Sequence, residues 1–130
     1  MKIKLNAIFV DDQDKALKFY TEVLGFEKKN DFQVAGPFRW LTVVSPEEPD
    51  AAELVLEPNA NPISKTYQEG LLKQGIPITA FEVADIEGEH RRLKQQGVVF
   101  TRDPVQMGPV KIAIFADTCG NLLQIYQHAG

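Results

Sequence analysis

Residues 7–26 read AIFVDDQDKALKFYTEVLGF, and the fold is decided in this stretch. Residues 7–10 are an apolar run of strand length, which Asp11 and Asp12 end abruptly. Behind them Ala16, Tyr20, Val23 and Leu24 recur at helical spacing, with Leu17 and Phe19 widening the stripe. That pattern predicts a helix with one buried face. Either aspartate can cap it, because a side-chain oxygen there accepts an otherwise orphaned backbone N–H. Gly25 supplies the left-handed residue that stops the helix, and Phe26 resumes an extended run. The local order is strand, capped helix, glycine, strand.

The same order is written again downstream. Residues 79–83 (TAFEV) are a strand candidate, Asp85 stands at the cap, and Gly97 closes a helical stretch over 86–96. An offset of 73 residues separates Val10 from Val83, and one of 72 separates Gly25 from Gly97. Residues 38–44 (FRWLTVV) and 111–117 (KIAIFAD) both read as strands, again 73 residues apart. Residues 54–56 (LVL) find their counterpart in 123–125 (LQI). Two copies of a β-α-β-β-β unit are too few and too long for a solenoid.

Between these landmarks, residues 27–38 predict a strand followed by a turn at 35–37, and residues 45–50 (SPEEPD) a solvated acidic hairpin loop. Residues 53–57 (ELVLE) close the first copy as its last strand. Residues 59–75 read as a connector, with a breaker cluster at 59–62 and a short helix over 67–73. It carries Ile63, Tyr67, Leu71 and Leu72, too many apolar residues for a free tether. Residues 104–109 (PVQMGP) read as an apolar loop bracketed by prolines, in the manner of a lid or rim. Residues 117–121 (DTCGN) read as a tight hairpin turn in which Gly120 takes the positive φ.

The totals exclude several classes. A chain of 130 residues predicts one domain, 1–130, built as a first module over about 1–58, the connector over about 59–75, and a second module over about 76–128. The net charge is −4 and the basic residues are scattered, so nothing forms the stripe that attracts nucleic acid. Cys119 is the one cysteine and has no intrachain partner, which fits a reducing compartment. The opening MKIKLNAIFV carries too short an apolar run for a signal peptide, and no segment is long enough to span a bilayer. The expectation is a cytoplasmic protein without a membrane partner.

Three motifs carry a family resemblance across almost the whole chain: V-D-D-x-D-K-A-L-x-F-Y-x-E-V-L-G-F in the first half, then V-x-D-I…L-K-x-x-G-V and D-x-x-G-N-L-L-Q-I-Y in the second. The sequence resembles the vicinal oxygen chelate superfamily, which includes glyoxalase I, bleomycin-resistance proteins and extradiol dioxygenases. The resemblance implies an α+β fold in which two βαβββ modules form a cup-shaped, curved mixed sheet. In many relatives the modules of two chains complete each other, so it also implies a homodimer.

In metal-using relatives the ligands occupy equivalent strand positions of the two modules. Here those positions carry Leu5, Val55, Ile78 and Gln124, with Glu53 two residues before Val55 on the same face. A divalent cation needs several converging imidazole or carboxylate ligands, and this set supplies none from the first three positions. His90 falls on a helix. His128 would lie roughly 13 Å along the strand from Gln124, too far to share a cation. The expectation is therefore no metal and no cofactor.

The candidate ligand-binding residues are Gln124, Tyr126, Leu122, Leu5, Val55, Ile78, Arg39, Trp40 and Met107, each weighed against plain packing or solvation. Gln124 would be a polar handle, and Tyr126, on the same strand face as Leu122, an aromatic wall. Arg39 and Trp40 are neighbours on one strand, so only one can face inward. Arg39 inside would favour an anionic ligand, Trp40 inside a flat apolar one. Glu53 is the weak candidate for an acid or base, more ordinary as a solvated strand-end carboxylate. Asp11, Asp12 and Asp85 are helix caps first, and Cys119 has no basic neighbour in sequence to activate it.

Three functions are open at this stage. One is a small-molecule binding protein holding an apolar or aromatic ligand. Another is a lyase, isomerase or dioxygenase of the superfamily type, working through a metal or through Glu53. The last is a dimeric scaffold whose cup is closed by side chains.

Overall fold

The structure, a computed structural model, describes residues 1–36 and 38–129. Pro37, part of the predicted 35–37 turn, lies outside the described residues. The chain divides into two compact units, Met1–Thr66 and Tyr67–Gly130. In the first, β1 (Leu5–Val10) is followed by α1 (Gln13–Lys18), a π-helical turn (Phe19–Val23), β2 (Glu27–Ala35), β3 (Phe38–Val44) and β4 (Glu53–Pro58). Then α2 (Pro62–Gln74) spans the unit boundary. The second unit continues with β5 (Thr79–Glu82), α3 (Ile86–Gln95), β6 (Phe100–Met107), β7 (Val110–Ala116) and β8 (Leu122–His128).

Both units use one sheet plan. The strand orders are β1-β4-β3-β2 and β5-β8-β7-β6. The β1/β4 and β5/β8 pairs are parallel, and the other pairs are antiparallel. α1 and α3 lie on the crossovers that parallel strands require, since a two-residue turn cannot join them. The fold is α+β with two βαβββ modules, each carrying a four-stranded mixed sheet.

α1 and α3 each bury one side of their own sheet. In the first unit Ala16, Phe19 and Tyr20 are buried, as are Ile8, Val10, Leu41, Val43, Leu54 and Leu56. Gln13 Nε2 ties the start of α1 to the sheet, donating to the carbonyls of Arg39 at 3.0 Å and Leu56 at 2.8 Å. In the second unit Ile86 and Leu93 of α3 are buried, as are Ala113, Phe115, Leu123 and Ile125. Here the tie is at the helix start, where the Ile86 N–H donates to Gln127 Oε1 at 2.8 Å.

Three elements depart from the sequence expectation. The first helix is not uniformly α: after Lys18 it widens, and the Leu24 N–H bonds the Phe19 carbonyl five residues back. The extra residue per turn lets adjacent Phe19 and Tyr20 both go inside, 8 % and 0 % exposed. Helix α2 starts one turn earlier than predicted. Pro62 takes its first position, where no N–H is needed, and Asn61 Oδ1 accepts the Ile63 N–H at 2.9 Å. The breaker cluster at 59–62 is thus a helix start.

The expected lid at residues 104–109 is corrected outright. Residues 104–107 belong to β6, and only Gly108 and Pro109 form the turn into β7. Proline is tolerated because β6 is an edge strand whose register shifts between Arg102 and Val105, so Pro104 need not donate to a ladder. Met107, expected in that rim loop, is a strand residue opposite Val110 and 50 % exposed.

Candidate functional site

One side of each sheet is covered by its helix; the other side carries no helix, although Thr42, Val55, Ile112 and Leu122 there are buried. The register assigns residues to these helix-free faces. In the first unit Arg39 lies on the helix side: its guanidinium donates to Asp14 on α1, and to Asp31 Oδ1 and Oδ2 at 3.0 and 2.9 Å. The Arg39 hydrogen bonds hold Asp31 below its ordinary carboxylate pKa against the opposing effect of burial, and the Arg39 and Lys28 charges add to them. Those same bonds to Asp31, then Asp14, push the Arg39 pKa upward. The choice left open between Arg39 and Trp40 thus falls to Trp40, which takes the helix-free side by alternation.

That face can be read strand by strand. Phe32 stands opposite Trp40, Asn30 opposite Thr42, and Thr42 opposite Val55. Leu5 stands opposite Glu53 on the parallel edge. Val55 is 3 % exposed and Leu5 50 %, so the first is floor and the second is margin. Glu53 is half-buried and engaged: its Oε1 accepts from Thr42 Oγ1 at 2.9 Å and Asn30 Nδ2 at 3.0 Å, and Lys29 Nζ lies 3.8 Å from its Oε2. Thr42 and Asn30 escaped the sequence reading. Their signal was parity alone, two positions from Trp40 on one strand and opposite it on the next.

In the second unit the bond from Ile86 to Gln127 puts odd-numbered β8 residues under α3, leaving Leu122, Gln124 and Tyr126 on the free face. Successive rows run Ala80, Gln124, Ile114, Arg102, then Glu82, Tyr126, Ile112, Val105. Ile78, just before β5, is in line with Ala80 and donates its N–H to the Leu122 carbonyl at 2.9 Å. Met107 pairs with Val110, which pairs with His128, in the row beyond. The Tyr126 hydroxyl makes a long 3.4 Å bond to Glu82 Oε1, and His128 Nε2 is 3.9 Å from the same oxygen.

The structure therefore groups Leu5, Glu53, Val55 and Trp40 on one helix-free face, and Ile78, Leu122, Gln124, Tyr126 and Met107 on the other. Arg39 is set apart, behind its sheet with α1. At the four positions singled out for a cation, Leu5, Val55 and Ile78 present only hydrocarbon and Gln124 a neutral amide. Such a donor set does not fit a divalent ion. Among the described residues, no group of three or more His, Cys, Asp or Glu side chains could hold one. Among them, too, no helix is long and apolar enough to cross a membrane.

Known proteins resemble this chain in sequence and in fold. YurT of Bacillus subtilis (strain 168), itself uncharacterized, is 57 % identical over 127 residues, covering 98 % of this chain and 99 % of that one. The crystal structure of UcmS2 superposes with a TM-score of 0.83 at 34 % identity, covering 97 % of each chain. TnmS3, an antibiotic binding protein from Streptomyces sp. CB03234, gives a TM-score of 0.77 at 26 % identity, over 99 % of this chain and 97 % of that one. Residues 2–125 match the family described as the Glyoxalase/Bleomycin resistance protein/Dioxygenase superfamily. With that match laid over the twice-built βαβββ sheet, the chain belongs to the Glyoxalase/Bleomycin resistance protein/Dioxygenase superfamily.

Proposed function

We propose that this protein binds a small, largely apolar or aromatic molecule on the helix-free faces of its sheets, with no metal at the family position. The observation that carries this is the chemistry of Leu5, Val55 and Ile78, which offer hydrocarbon where a catalytic relative would offer electron pairs. The antibiotic-binding relative TnmS3 supports the same direction. On the face of the second unit Gln124 is the polar handle for a ligand and Tyr126 an aromatic wall; on the face of the first, Trp40 is a stacking surface. Glu53, held by Thr42, Asn30 and Lys29, orders its face rather than moving a proton. Binding of this kind sequesters the ligand and needs no catalytic residue. The protein works in the cytoplasm as a homodimer.

The test is a thermal-shift screen with aromatic and peptide antibiotics beside hydroxy-ketones, thiol adducts and divalent cations, with elemental analysis of the purified protein. Antibiotics of one class raise the melting temperature by mass action, and cations do not. Stoichiometric metal in the purified protein, or turnover of a thiol adduct, would replace binding with catalysis. Gln124→Ala weakens binding of the stabilising compound by about fivefold to tenfold, the value of one neutral hydrogen bond, and leaves the melting temperature of the free protein nearly unchanged.

A further inference from the structure

We infer that Arg102 is a second polar anchor beside Gln124, selecting ligands that carry an anionic oxygen group, a carboxylate or phenolate, on an aromatic or apolar body. The inference rests on the helix-free face being the ligand face. The register sets Arg102 there, opposite Ile114, itself opposite Gln124. Asp103, which follows it where the register shifts, bonds His90 of α3 at 3.0 Å.

Arg102 is exposed and has no hydrogen-bond or ion-pair partner among the described residues, in contrast to Arg39 and Arg92. The acidic residue of the neighbouring row, Glu82, stands on β5, three strands from β6. That is roughly 14 Å away, and its carboxylate already faces Tyr126 and His128. The guanidinium charge is therefore not cancelled on its own face. Gln124 is two strands from Arg102, about 10 Å between backbones, with half-buried Ile114 between them. Two long side chains flanking an apolar floor can both donate to one oxygen group held above it, while the body of the ligand lies against Val105, which is exposed. Arginine suits that place because its fork stays charged, is weakly hydrated, and meets an oxyanion with paired N–H donors.

Isothermal titration with two probes of one shape, anthraquinone-2-carboxylate and anthraquinone-2-carboxamide, tests this. Wild-type protein is expected to prefer the carboxylate by about tenfold or more. Arg102→Ala removes that preference, lowering the carboxylate affinity far more than the carboxamide affinity, and leaves the melting temperature where it was. Arg102→Lys, which keeps the charge and loses the fork, retains part of it. Equal affinity for the two probes in the wild type, or a preference that survives in Arg102→Ala, would overturn the anchor and leave the ligand-binding function standing. Binding of neither probe, together with silence across the antibiotic screen, would remove that function and the anchor with it.

Discussion

Gly120 illustrates how one residue can be fixed by several constraints. It sits at φ +100° in the turn between β7 and β8, and a Cβ there would stand 2.6 Å from Gln68 Nε2. Gln68 cannot step aside easily: it is 2 % exposed and donates to the Cys119 carbonyl and Asn121 Oδ1, both at 3.1 Å. Gly120→Ala therefore loses about 2–4 kcal/mol, from backbone strain and broken bonds to Gln68 together, read as a lower urea midpoint. In the double variant with Gln68→Ala the clash is gone and the strain remains, so the two losses sum to less than their separate values. Full additivity would show that the two residues do not meet. Asp31 makes a second residue-scale case. Its pKa is depressed below the ordinary 3.8 first by the Arg39 hydrogen bonds, so its stabilisation is complete above that ordinary value and fades as pH falls through the folded one. In Arg39→Met the Asp31 carboxyl titrates higher than in the wild type when followed by NMR, and acid unfolding begins at higher pH.

Capping dominates at the scale of elements. Asp12 Oδ1 accepts the Lys15 N–H at 3.1 Å, and Asp85 Oδ1 accepts the Gly88 N–H at 3.1 Å, equivalent bonds in the two modules. Asp12→Ala lowers stability by about 1 kcal/mol in urea denaturation, and Asp12→Asn by much less, because either oxygen serves. These starts were legible in the sequence because a cap is a short-range fact, settled within three residues. The π turn was not. Residues 16, 20, 23 and 24 satisfy a regular helix as well as a widened one, and only the sheet beneath requires Phe19 and Tyr20 to go in together. The later part of strand β6 was hidden for the opposite reason. Pro104 and the nearby Pro109 read as loop punctuation, and pairing along one side only, the privilege of an edge, makes Pro104 acceptable.

For the whole molecule, the consequence of the fold lies in its edges. β1 and β2 border one sheet, and β5 and β6 the other. Phe32, Val34, Val105 and Met107 on these strands are exposed. Edge strands with apolar side chains are places where a second copy can pair, and for the homodimer proposed above analytical ultracentrifugation is expected to show twice the chain mass at micromolar concentration. A monomer there would place the binding function on a single chain. The module order, both aspartate caps and the glycine stops were determined by the sequence itself. Hydrophobic period and turn chemistry act between near neighbours, and the repeat states them twice. The tertiary structure alone decided that Arg39 turns back to α1 and leaves Trp40 facing out, that Thr42 and Asn30 bind Glu53, and that Arg102 shares a row with Gln124. Such facts depend on register between strands that are distant along the chain, and a one-residue slip would exchange every face.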